Sequence, residues 1–148
     1  MRSKKLTLPD FAGEWKVERQ ISDHLAASSG RFSGSCEFAA RDGEADVLYY
    51  SEKGTIEFES GEPLEASRNY IYRAGATKNE VDVLFSDGRP FHTIKLRQTM
   101  PSDTHFCEPD AYDVTYDFRY WPKWSSLWTV RGPRKNYKMK TEYTLLSN

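Results

Sequence analysis

From Phe11 onward, apolar side chains recur at every second position, and this period restricts the fold more than any other feature of the chain. Phe11, Gly13, Trp15, Val17, Arg19 and Ile21 share one parity, and Glu14, Lys16, Glu18 and Gln20 share the other. Successive side chains of an extended strand point to opposite faces, whereas a helix would repeat near 3.6 residues. The same alternation returns in Phe32–Phe38, Ile56–Phe58, Val81–Phe85, His92–Leu96, Tyr112–Phe118 and Tyr137–Leu145. Turn residues separate the runs: Arg41-Asp42-Gly43, Lys53-Gly54, Ser60-Gly61-Glu62-Pro63, Ala74-Gly75, Asp87-Gly88 and Gly132-Pro133. Asp-Gly and Ser-Gly between alternating runs are hairpin signals. The spacing predicts an all-β chain: one antiparallel up-and-down β-barrel of about ten strands, with one apolar and one solvated face per strand and an internal cavity. Residues 1–148 read as one barrel domain, with 1–9 a disordered or extended tail and Leu25–Ser28 the one place for a helical turn.

Composition bears on what such a barrel would do. Only 38% of the 148 residues are hydrophobic, which fits strands with a wet face, and 14% are aromatic, which excludes a disordered chain. Lys and Arg number 21 against 22 Asp and Glu, so no dominant basic field points to nucleic acid. No run approaches the roughly 18 apolar residues of a membrane span, and no apolar signal core follows the basic start, so no membrane partner is expected. Two cysteines, Cys36 and Cys107, make no disulfide framework and indicate a reducing compartment, the cytoplasm of a bacterium.

The inward parity carries polar groups that need partners. Arg19, between Val17 and Ile21, requires a carboxylate, backbone carbonyls, a ring such as Trp15, or an anionic ligand. His92 enters a strand behind the Asp87-Gly88 turn, either as a hydrogen-bonded core histidine or as a general acid or base. His105 and Cys107 share a parity and are expected to face inward, with Glu108-Pro109-Asp110 as a turn. Their ligand count falls short of a metal site, and neither metal nor cofactor is expected. Gly132-Pro133-Arg134-Lys135 forms a basic turn. Trp128 and Val130 point inward, while Trp121 and Trp124 read as a loop cover or an exposed apolar patch, a contact surface for a homodimer or another partner.

Phe11-Ala12-Gly13-Glu14-Trp15 resembles the Gly-x-Trp signature on the first strand of calycin (lipocalin-like) barrels. The resemblance implies that the Trp closes one end of the barrel under a basic residue, here Arg131 or Lys138. Over residues 10–145 the chain resembles the bacterial family catalogued as domain of unknown function 6314. Phe11-x-Gly13-x-Trp15-x-x-x-Arg19-x-Ile21, Tyr50-x-Glu52-x-Gly54, Arg68-x-Tyr70, Phe85-x-Asp87-Gly88-Arg89-x-Phe91-His92, His105-x-Cys107-x-x-Asp110-x-Tyr112 and Trp128-x-Val130-x-Gly132-Pro133-Arg134-Lys135-x-Tyr137 carry it. The resemblance implies a calycin-like barrel and no settled activity. Its segments bring forward Arg19, Arg68, Tyr70, Arg89, His92, His105, Cys107, Tyr112, Trp128 and Arg134 as candidate ligand-binding residues. The expected function is binding of a small, partly apolar, anionic molecule in a cavity walled by Trp15, Tyr70, Tyr112, Tyr116, Trp128 and Tyr137. The alternatives are an enzyme of isomerase, dehydratase, cyclase or hydrolase type using His92, and an interaction protein using the Trp121–Trp128 surface.

Overall fold

The computed structural model describes residues 5–59 and 61–148. Ten strands follow one another: β1 Gly13–Asp23, β2 Ser28–Ala39, β3 Val47–Phe58, β4 Leu64–Ala74, β5 Glu80–Phe85, β6 Pro90–Lys95, β7 Ser102–Cys107, β8 Asp110–Asp117, β9 Trp124–Gly132 and β10 Lys135–Ser147. They form one antiparallel sheet in the order β6-β5-β4-β3-β2-β1-β10-β9-β8-β7. The expectation of an all-β up-and-down barrel is met. Pairing of β1 with β10, from Glu14↔Ser147 to Asp23↔Tyr137, joins the two ends of the meander. The one unpaired seam therefore falls between β6 and β7. Asp103 spans it, its Oδ2 accepting the Thr93 amide at 2.8 Å where a neighbouring strand carbonyl would otherwise stand.

Burial follows the sequence parity. In β1, Trp15, Val17, Arg19 and Ile21 are buried while Glu14, Lys16 and Gln20 are exposed. Gly34 faces Gly54 across β2 and β3, and a Cβ on either would run into the opposite backbone. Strand glycines permit such a close approach, and here they let the sheet curl. Gly88, at φ 92°, provides the left-handed residue of the β5–β6 turn.

The up-and-down path puts the β1–β2, β3–β4, β5–β6, β7–β8 and β9–β10 turns at one end. The other end is filled by a plug of rings. Phe11 lies 5.0 Å from Trp121 and 5.4 Å from Trp124, and Trp15 lies 5.4 Å from Trp121. Trp15 donates its indole N–H to the Phe11 carbonyl at 2.9 Å.

Four local expectations are corrected here. Met1–Lys4 lie outside the described residues, and residues 5–9, extended at Thr7, are packed rather than disordered. Leu6 and Leu8 are buried in the plug, and Leu8–Phe11 form a single-turn 3-10 helix. Asp10 fixes that turn by accepting the Thr7 amide at 2.8 Å, with Pro9 in the first turn, a position that needs no amide donor. Residues 24–27 instead make a non-helical turn, in which Asp23 Oδ1 accepts the amides of Leu25 and Ala26. Trp124 is buried and Trp121 packs on the core, so they are not an exposed patch. Neither Arg131 nor Lys138 caps Trp15: both are exposed, and Arg131 pairs with Asp113 at 2.6 Å.

Candidate functional site

Between the ring plug and the turn-bearing end lies a cavity of about 190 Å³. Its floor is an ionic cluster built by strand parity. On β3, Leu48, Tyr50 and Glu52 share the inward face. Glu52 stands directly across from Arg68 on β4, and Arg19 directly across from Thr141 on β10. Arg19, only 4% exposed, reaches over β2 to meet Glu52 in a bidentate pair, with Nη1 and Nη2 each 2.8 Å from a carboxylate oxygen. Its Nε donates to Thr141 Oγ1 at 2.8 Å. Its guanidinium carbon lies 5.0 Å from the centre of the Phe32 ring, not on Trp15. Tyr50 donates a short hydrogen bond to Glu52.

Burial opposes both charges of this pair. The desolvation that would lower the Arg19 pKa is outweighed by the hydrogen-bonded Glu52 beside it, and the guanidinium stays above its ordinary value. The burial that would raise the Glu52 carboxyl is outweighed by Arg19 and then Arg68, which hold it below the usual carboxylate range. Arg19 and Glu52 are therefore both charged at neutral pH. Two guanidiniums against one carboxylate leave one positive charge in the cavity wall.

Arg68 holds that charge. Its Nε lies 3.2 Å from Glu52 Oε2, and its side chain is 33% exposed. Among the described residues no protein acceptor pairs with its Nη1 or Nη2. Arg19, by contrast, has committed Nε, Nη1 and Nη2 to Glu52 and Thr141.

The walls are rings. Phe91 stacks on Trp128 at 5.0 Å and 14°, and Tyr70 lies 5.7 Å from Phe91 at 26°. Tyr112 and Tyr137, both partly exposed, stand at the mouth. Lys135 donates to the Tyr112 hydroxyl at 2.7 Å and pairs with Asp110 at 3.2 Å, and these two partners raise its pKa.

His92 lines the same cavity and is 7% exposed. Its Nε2 shares a hydrogen bond with the Tyr116 hydroxyl at 2.7 Å, while its Nδ1 is buried without a partner. Desolvation lowers its pKa to about 3, so the ring is neutral. An unsatisfied buried nitrogen costs about 1–3 kcal/mol.

Of the residues singled out by sequence, the structure brings Arg19, Arg68, Tyr70, His92, Tyr112 and Trp128 around one cavity, joined by Tyr116 and Tyr137. The others lie elsewhere. Arg89 is exposed and pairs with Asp87 at 2.7 Å, and Arg134 is exposed on the β9–β10 turn. Cys107 pairs with Asp110 at the last rung of the β7–β8 hairpin, beyond the barrel rim, and is exposed. His105 is half-buried and sets its ring edge-on to Phe91 at 5.3 Å. Trp15 belongs to the plug and not to the cavity wall. Sequence reasoning missed Tyr50, Glu52, Phe91 and Thr141. Tyr50 and Glu52 were available from the parity of β3, and Thr141 from that of β10. Among the described residues no group of three or more His, Cys, Asp or Glu is placed to hold a metal.

A nearly closed ten-stranded antiparallel barrel with an end plug and an internal cavity defines a calycin-like protein. The chain is similar in fold to the solved S-type phycobiliprotein lyase CPES from Guillardia theta, with a TM-score of 0.65 at 9% identity over 97% of this chain and 93% of that one. At that identity the likeness shows the fold alone. Residues 11–145 match the family of unknown function DUF6314, and the chain belongs to that family. No curated protein matches it.

Proposed function

We propose that the protein binds a small, partly apolar, anionic molecule inside the barrel, in the cytoplasm. The observation that carries this reading is Arg68: a guanidinium held over a buried carboxylate, with both Nη groups uncommitted, in the wall of a ring-lined cavity. Ligand sites are mostly apolar with a few placed polar groups, and arginine favours planar carboxylates because its donors form a fork. Size sets the scale of the ligand. A cavity of about 150 Å³ takes a benzene ring, so about 190 Å³ suits one ring with a small substituent. The free thiols Cys36 and Cys107 fit a reducing compartment.

Binding is favoured over acid–base catalysis by the state of His92. Its one hydrogen-bond partner is a tyrosine, not an acid, and a neutral imidazole with a pKa near 3 is far from the operating pH that general catalysis requires. The test combines native mass spectrometry of gently purified protein with a tryptophan-fluorescence titration by benzoate. The expected result is a copurifying small mass, or a saturable benzoate signal from Trp128. A bare mass together with no saturable response to benzoate overturns the reading.

A further inference from the structure

We propose that two copies of this chain meet mouth to mouth, each laying its acidic β3–β4 turn against the basic β9–β10 turn of the other. The proposal needs no ligand, so it stands apart from the binding reading above.

Charge carries the argument. Residues 57–65 hold Glu57, Glu59, Glu62 and Glu65, all exposed, and no Lys or Arg. Arg31 on β2 stands across from Glu57. Glu59 accepts hydrogen bonds only from the neutral Ser29. Glu59, Glu62 and Glu65 therefore keep their negative charge uncancelled. Residues 131–138 hold Arg131, Arg134, Lys135 and Lys138 and no Asp or Glu. Asp113 and Asp110 pair with Arg131 and Lys135. Arg134 and Lys138 are exposed and have no ion pair among the described residues. One side of the mouth is thus negative and the other positive. A surface of one sign would be repelled by half of this rim, whereas a second copy complements both halves.

The same end carries apolar side chains in water. Leu25, Phe58, Leu64 and Phe106 are exposed there, Leu64 by 63% and Phe106 by 73%. They come from three separate hairpins around the opening, where contact with a second copy would cover them.

Topology makes the pairing symmetric. Five turns ring this end in the order β1–β2, β3–β4, β5–β6, β7–β8 and β9–β10. A two-fold axis lying across the mouth can exchange β3–β4 with β9–β10. It then runs through β1–β2 and exchanges β5–β6 with β7–β8. The β1–β2 turn, with Leu25, meets its own copy, and every charged contact occurs twice, as an isologous interface requires. Such a pairing also covers the mouth at Tyr112 and Tyr137.

The test is sedimentation velocity on wild type and two charge-reversed variants. One carries Arg134→Glu and Lys138→Glu; the other carries Glu59→Lys, Glu62→Lys and Glu65→Lys. All five positions are exposed, and circular dichroism checks each fold. Wild type should dimerise at about 100 μM. The dimer should weaken as ionic strength rises from about 0.05 to 0.5 M, which screens exposed charges. Each variant alone should dimerise about tenfold or more weakly, because both of its turns then carry one sign. An equimolar mixture of the two variants should restore the dimer, since every contact again joins opposite signs. Leu25→Ser should weaken the wild-type dimer without altering its dependence on salt. A wild type that stays monomeric, a dimer indifferent to both reversals, or a mixture as weak as its components overturns the proposal.

Discussion

Replacing Glu52 by Gln tests the internal ionic cluster with almost no change of shape. Glu52 Oε1 and Oε2 each accept a 2.8 Å hydrogen bond from Arg19, and the carboxylate also meets Tyr50 and Arg68. The amide removes the negative charge and puts a donor where an acceptor stood. Arg68 has water within reach, but Arg19 is 4% exposed and keeps a buried, uncompensated charge. Breaking a buried pair from one side costs about 3–5 kcal/mol. Domains are stable by about 5–15 kcal/mol, so the loss is about a fifth or more of the total. At a urea slope of about 2 kcal/mol/M, the unfolding midpoint should fall by about 2 M. Arg19→Met with Glu52→Leu should recover most of that loss, since apolar groups of similar volume often replace a buried pair at little cost. Recovery stays incomplete because the Thr141 hydroxyl loses its partner, about 1–3 kcal/mol if left unsatisfied, while Tyr50 keeps the Tyr143 hydroxyl at 3.4 Å. Urea titrations at neutral pH decide the matter. A Glu52→Gln midpoint close to wild type, or a double variant no more stable than the single, refutes the reasoning.

Two further outcomes follow from buried polar groups. His92 has a folded pKa of about 3 because of burial, against about 6.5 in an unfolded chain. Between those values the unfolded state binds the extra proton, so stability should fall with pH by up to about 1.4 kcal/mol per unit. His92→Phe should flatten that slope in urea midpoints measured from pH 7 to pH 4, and an unchanged slope would show that the histidine is not held neutral. At the β6–β7 seam, Asp103→Ala should speed hydrogen exchange of the Thr93 amide about tenfold or more, with Asp103→Asn in between. Exchange unaffected by either substitution would mean that the carboxylate does not close the edge.

Much of the fold was legible because period two is a local signal. The parity that buries Trp15, Val17, Arg19 and Ile21 can be read without knowing what lies opposite. The same parity puts Trp124 on the inward face with Ser126 and Val130, and the reading missed it only by starting that strand too late. Other misses have a different cause. Leu6 and Leu8 precede the first strand, and their burial depends on the hole they fill. Cys107 keeps the inward parity of its strand but lies past the rim, where parity no longer implies burial. Arg89 and Arg134 sit on turns, where alternation says nothing. That Arg19 needed a partner was evident from its neighbours. That the partner is Glu52, 33 residues away, required the curl of β1 through β3 into a barrel.

The position of the ionic cluster is itself an argument for binding. It stands between a plug packed solid with rings and a cavity, where an apolar filling would serve stability as well or better. Buried pairs replaced by well-packed apolar side chains are often neutral or stabilising by about 1–4 kcal/mol. What an apolar filling cannot supply is a fixed charge. Glu52, saturated by Arg19 and Tyr50, is a rigid counter-ion, and it meets Arg68 at Nε alone, while the Nη groups of Arg68 have no protein partner among the described residues. Such preorganisation lowers the entropy lost on binding, because the guanidinium is oriented before a ligand arrives. On the proposed reading Arg19 and Glu52 position Arg68 and Arg68 makes the contact, so their substitutions should separate. Loss of Arg68 should remove anion binding with little effect on stability, whereas loss of Glu52 should damage both.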